Sequence, residues 1–367
     1  MRGKKPSVFK TIVYFLAFVL LASVLFASMA FAAVTDADFI NLCNQGTLPE
    51  VTAAIQDKAN VNATDEDGWT PLMAAAAKNT NPEVITTLIK AGANVNAKDN
   101  DGYTPLMAAA EDNQNPKIIA ALVEAGADAN AKDEDGWTPL MRAAAMNNQE
   151  SITILLNAGA NVNAKNNDGW TPLMLAASLN NHIEVITVLI KSGADVNAKD
   201  SKLPGGTPLL CAVCGRLESS PNAAAALIKA GANVNSTDAY GLAPLMLAAR
   251  CGNSETILAL VEAGADINIK SRNGSTPLVL AITRAAPATE VIAALIEAGV
   301  DVNAKTTING ATPLMLAALR SYPEVIITLL DLGADPKAKD NFGKTALNYA
   351  KENEKLKDTD ALRMLGE

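Results

Sequence analysis

The side chains able to do chemistry are few in this sequence, and they are scattered. His182 is the single histidine, in Asn181-His182-Ile183-Glu184, and no nucleophile and acid pair stands at a spacing that would build a triad around it. The cysteines are Cys43, Cys211, Cys214 and Cys251. Cys211-Ala212-Val213-Cys214 has the spacing of a redox pair but lies inside a helical run, without the strand-helix-strand setting such a pair needs. Acidic turns such as Asp65-Glu66-Asp67-Gly68 suggest calcium, yet they are too short for a calcium loop and run straight into a helix. No glycine-rich phosphate loop, metal cluster or nucleophile motif is present. The expectation is a non-catalytic chain with no cofactor and no metal.

One pattern of chemically useful residues does recur. All three tryptophans, Trp69, Trp137 and Trp170, stand directly before a Thr-Pro-Leu phrase, and Tyr103 fills the same place between them. Acids accompany each ring: Glu66 and Asp67, then Asp101, then Glu134 and Asp135, then Asp168. Further along, the equivalent residues are Gly206, Leu242, Ser275 and Ala311.

The phrase that carries this row sets the organisation of the chain. Thr-Pro-Leu or a near copy starts at residues 70, 104, 138, 171, 207, 243, 276 and 312, and Thr345-Ala346-Leu347 closes the series. The successive spacings are 34, 34, 33, 36, 36, 33, 36 and 33 residues. Gly92-Ala93-Asn94-Val95-Asn96 keeps step, with copies from Gly126, Gly159, Gly193, Gly231 and Gly264 and weaker ones from Gly299 and Gly333. A period between 20 and 50 residues signals stacked units.

Each unit follows from its residues. Thr70 is a helix N-cap and Pro71 suits the first helical position. Leu72 to Ala77 give a short alanine-rich helix, whose small side chains admit a close neighbour. Pro82 opens a second helix, in which Val84, Ile85, Leu88 and Ile89 form an apolar stripe. Gly92 ends that helix, and Asp99-Asn100-Asp101-Gly102 is a tight turn. Such a pair is too small to bury its own apolar face, so it must stack on the next.

The pattern Asp133-Glu134-Asp135-Gly136-Trp137-Thr138-Pro139-Leu140-Met141, followed by Gly159-Ala160-Asn161-Val162-Asn163, resembles the ankyrin repeat. The resemblance covers about residues 35 to 367. It implies an all-α repeat solenoid of about ten units with protruding loops, spanning roughly 35–64, 65–98, 99–132, 133–165, 166–199, 200–236, 237–270, 271–305, 306–339 and 340–367. One departure is systematic: the family's histidine after Thr-Pro-Leu is replaced by Met73, Met107, Met141, Met174, Met246 and Met315. That exchange implies a lost bond between loops and added apolar packing. Units of this kind often hold a loop histidine where His182 stands, which implies a structural use for it. Cys43 and Cys211 are expected in core positions. A Cys214–Cys251 bridge is not expected, because stacked helices keep their backbones ~8–10 Å apart, beyond the ~7 Å reach of a disulfide.

The amino terminus reads as an address. Arg2, Lys4, Lys5 and Lys10 precede an apolar run, and Ala30-Phe31-Ala32 fits a signal-peptidase site that would leave Ala33 first. The other reading is an uncleaved anchor through residues 11–33, long enough to span a bilayer. Residues 1–32 are thus expected to be a signal peptide, residues 33–367 the repeat domain, and the location periplasmic or secreted. The net charge is −9, and −13 without residues 1–32, which opposes nucleic acid.

Ankyrin proteins usually bind partners on a concave face made of loop tips and first helices. Carried over, that face includes Glu66, Asp67, Trp69, Asp101, Tyr103, Glu134, Asp135, Trp137, Asp168 and Trp170. Aromatics make hot spots and acids select basic partners, so the row reads as a binding stripe for a basic or mixed-charge protein segment. The competing reading is that the rings brace neighbouring loops. The expected function is a monomeric protein-interaction scaffold. The alternative is an anchored spacer of the cell envelope, touching membrane only if residues 11–33 remain.

Overall fold

The computed structural model describes residues 34–146, 149–179, 183–201, 206–213, 221–284, 289–320 and 322–366. Residues 1–33, which hold the segment expected to be a signal peptide, His182 and Cys214 lie outside them. Among the described residues there are twenty α-helices in ten successive pairs, and no strand. The first helices are α1 (Asp36–Gln45), α3 (Pro71–Lys78), α5 (Pro105–Asp112), α7 (Pro139–Met146), α9 (Pro172–Leu179), α11 (Pro208–Val213), α13 (Pro244–Cys251), α15 (Pro277–Thr283), α17 (Pro313–Arg320) and α19 (Ala346–Lys351). The second helices are α2 (Leu48–Gln56), α4 (Pro82–Lys90), α6 (Pro116–Glu124), α8 (Gln149–Asn157), α10 (Ile183–Lys191), α12 (Pro221–Lys229), α14 (Ser254–Glu262), α16 (Thr289–Glu297), α18 (Pro323–Asp331) and α20 (Asp360–Gly366). Each of the ten sequence spans holds one pair, so the architecture is an all-α repeat solenoid.

Local chemistry starts each helix. The Thr70 hydroxyl accepts the Met73 N–H at 3.2 Å, with Pro71 at the first helical position, and Thr104, Thr138, Thr171 and Thr276 repeat the cap. Asn81 and Asn115 cap α4 and α6 through their side-chain oxygens. The substituted methionines Met73, Met107, Met141, Met174, Met246 and Met315 are buried. The sulfurs of Met73 and Met315 accept the backbone N–H of Thr70 and Thr312 at 3.4 Å, a bond within the helix cap rather than one between loops. Thioether sulfur is a weak acceptor, so burial remains the larger contribution.

Stacking buries what each unit leaves bare. In α3 every residue from Pro71 to Ala77 is buried, and the leucines and isoleucines of the second helices join one continuous core. First helices approach one another more closely than second helices do, because alanine lines their contacts.

Asparagines stitch unit to unit. The amides of Asn62, Asn96, Asn130, Asn163, Asn197, Asn235 and Asn303 each donate to a glycine carbonyl in the next unit at 2.9–3.3 Å. Their oxygens accept the backbone N–H two residues beyond that glycine at 2.7–2.8 Å. A planar amide satisfies one donor and one acceptor at once, which fixes the register between units.

The ends differ from the middle. At the first unit Thr47 and Glu50 form a capping box, and Phe39, Cys43 and Val51 face inward. At the last, Lys351, Glu352, Glu354 and Lys355 are exposed, giving the stack a polar outer face.

Candidate functional site

The loops that carry the acids are built to be rigid. In each turn the first side chain holds the backbone: Asp65 Oδ1 accepts from Asp67 N and Trp69 N, Asp99 from Asp101 N and Tyr103 N, and Asp133 from Trp137 N. Asn166 does the same for Asp168 N and Trp170 N. Neighbouring tips are joined by Asn100 N to Asp67 O, Glu134 N to Asp101 O, and Asn167 N to Asp135 O, at 2.9–3.1 Å. Lysines add a second row, Lys98, Lys132 and Lys165 each donating to the backbone carbonyl of the lysine one unit on. Glycine is required where this ladder leaves no room for a Cβ. Gly136 has φ +77°, and a Cβ there would lie 3.1 Å from Asn167 N.

The aromatic residues lie half-buried at the ends of the loops, each just before the threonine that precedes a first helix. The rings of Trp69 and Tyr103 stack with centroids 6.0 Å apart. Beyond Tyr103 the column continues through a residue that the sequence reading passed over. The Arg142 guanidinium lies 5.2 Å from the Tyr103 centroid and 4.7 Å from that of Trp137. It also donates to Asp133 at 2.7 Å and to Glu111 at 2.9 Å, and Glu111 accepts the Tyr103 hydroxyl at 2.7 Å. Trp69, Tyr103, Arg142 and Trp137 thus form one column, tied down by two carboxylates.

These contacts set the charge states. Burial, followed by the hydrogen bond to Glu111, pushes the Tyr103 phenol far above its ordinary value. Burial opposes the charge on Arg142, but its bond to Asp133 and the field of Glu111 outweigh that and raise its value. The phenol therefore stays a donor and the guanidinium stays charged.

The ten residues singled out by sequence fall into three groups. Trp69, Asp101, Tyr103, Glu134 and Asp135 line one groove of about 450 Å³, together with Asp99, Glu111, Asp112, Asp133 and Arg142. Among the described residues, seven carboxylates face one cation there. Among the described residues no three of them converge as ligands of a metal ion would. Trp137, Asp168 and Trp170 line a second groove of about 530 Å³ further along the stack. Glu66 and Asp67 line neither; they stand exposed at the tip of unit two, where their carbonyls accept from Asn100. The rings do brace their neighbours, and they also form the walls of these grooves.

Sequence reasoning missed Arg142 and Glu111. A signal was available: the equivalent positions to Arg142 hold Ala74, Ala108, Leu175, Cys211 and Leu247, so a lone arginine interrupts an apolar column. Of the cysteines, Cys43 is buried and Cys211 half-buried. Burial, with Asp200 adding to it at Cys211, pushes both thiols up to about 12. Neither is a thiolate at neutral pH.

The helix pairs, the threonine-proline caps and the asparagine ladder are the features one repeat pattern would specify throughout. A family model of ankyrin repeats in three copies matches residues 39–133, 108–200, 201–271, 245–340 and 285–366, which together cover nearly all of the described stack. The chain belongs to the ankyrin-repeat family, whose repeats serve as protein–protein interaction modules.

Proposed function

We propose that this protein is a non-catalytic scaffold whose concave face holds a basic or mixed-charge protein segment. The observation that carries this reading is the groove across units two to four, where seven carboxylates and the Trp69 and Tyr103 rings surround the single Arg142 cation. Rigid rings supply contact area at small entropic cost, and a field of one sign selects and steers the opposite charge. The rigid loops mean that little order is left to be acquired on binding.

Exposed acids give the cleanest test, because Trp137 also packs on Arg142 and the cluster around Met141. In the triple variant Asp101→Asn, Glu134→Gln, Asp135→Asn, crosslinked partner capture should fall with circular dichroism unchanged. Capture by the wild type should weaken with added salt. Capture equal to wild type, or indifferent to salt, would refute the reading. We also propose that the scaffold is monomeric and exported after loss of residues 1–32. Light scattering checks the first, and an intact mass beginning at Ala33 checks the second.

A further inference from the structure

The aromatic column stops at one residue. Where units two to five carry a ring before Thr-Pro-Leu, unit six carries Gly206. In the space a ring would occupy, the second groove opens to about 530 Å³, with Trp170 of unit five and Tyr240 of unit seven along it. Leu175, Leu210 and Leu247 give it a buried apolar lining, while the Tyr240 ring is 71% exposed. The Asp200 carboxylate lies so close over Gly206 that a Cβ at that position would collide with it. Among the described residues, Asp168, Asp200 and Asp238 face the groove against one cation, Arg250.

We infer that this groove is an anchor pocket for one bulky apolar side chain of a partner segment that also carries lysine or arginine. The inference rests on the proposed capture of a basic segment by units two to four, and extends it along the stack. Charge complementarity selects the occupant. By their described residues both grooves are net acidic, so an apolar residue borne on a basic segment satisfies them together, whereas one borne on an acidic segment is repelled at both. Continuity supports a single segment. The Trp137 ring that covers Arg142 at the end of the first groove also lines the second. Units stack ~8–10 Å apart and an extended chain advances ~3.3 Å per residue. The basic cluster therefore precedes or follows the apolar anchor by about seven residues, which spans roughly two and a half units.

The test uses the full chain and three synthetic peptides, with tryptophan fluorescence and anisotropy as readouts. One peptide has a lysine cluster and, about seven residues away, a phenylalanine; the second has serine for phenylalanine; the third has glutamate for the lysines. Burying one aromatic side chain should make the first bind at least about tenfold tighter than the second. Gly206→Trp fills the pocket and should remove that advantage while leaving the affinity for the serine peptide. Tyr240→Ala, at an exposed ring, should reduce the advantage even if the tryptophan variant does not fold. Equal affinity for the phenylalanine and serine peptides would overturn the anchor pocket and leave the basic-segment reading standing. Tightest binding of the glutamate peptide, or no binding of any, would overturn both. A dimer that Tyr240→Ala returns to monomer would assign the pocket to a second copy instead.

Discussion

Replacing Arg142 by methionine tests whether the aromatic column is held by charge or merely filled. The guanidinium bonds Asp133, whose side chain is 5% exposed, and Glu111, which is 31% exposed. A charge-assisted hydrogen bond in the first setting is worth about 1.5–3 kcal/mol. The more exposed pair adds less than about 1 kcal/mol. Each of the two ring contacts adds about 0.5–1 kcal/mol. Methionine keeps the packing of the stem, and removing the arginine also removes the cost of desolvating its charge. The net loss should be about 2 kcal/mol. Asp133→Asn breaks the same ion pair and preserves the turn, since Asn166 already accepts the equivalent N–H groups one unit on. A double-mutant cycle over these two changes should give a coupling of about 1–2 kcal/mol. Hydrogen exchange of the amides in units three and four is the right assay, because a stacked array need not unfold in one step. A coupling below about 0.3 kcal/mol would show that Arg142 is only a space-filling side chain there.

Three further outcomes are expected. Asn130→Ala removes the bond to Gly159 O and the bond from Asn161 N, and should destabilise the junction of units three and four by about 1–2 kcal/mol, seen as faster exchange at that junction alone. Gly126→Ala and Gly136→Ala both place alanine at positive φ, but only the second meets a neighbouring loop. Urea midpoints should therefore show a cost near 1 kcal/mol for the first and clearly more for the second. Asp340 accepts the Tyr349 hydroxyl at 2.6 Å, and that bond, with further backbone donors, holds its carboxyl below the usual range. A depressed folded value gives stability that is complete above the unfolded value and lost as pH falls through the folded one. The last unit should therefore fray below about pH 4, with Tyr349→Phe moving that onset upward, as followed by exchange or by NMR of the terminal helices.

Much of this molecule is decided within a few residues of chain. Thr70 and Pro71 start a helix, Gly92 stops one, and Asp65 closes its own turn, because each of these bonds joins groups at most five residues apart. Repetition at one period then makes the stack nearly inevitable, since no pair can cover its apolar face alone. The rings and acids of units two to five were legible for the same reason: they recur at one phase of the repeat. Other features depended on contacts between units. Arg142 meets Glu111 across 31 residues, and the asparagine amides reach about one unit ahead. The division of one expected stripe into two grooves turns on how Gly206 and Asp200 share a space that rings fill elsewhere. Sequence fixes what each repeat can offer, but which groups meet is set by the stacking distance and register between repeats, and these exist only once the solenoid has formed.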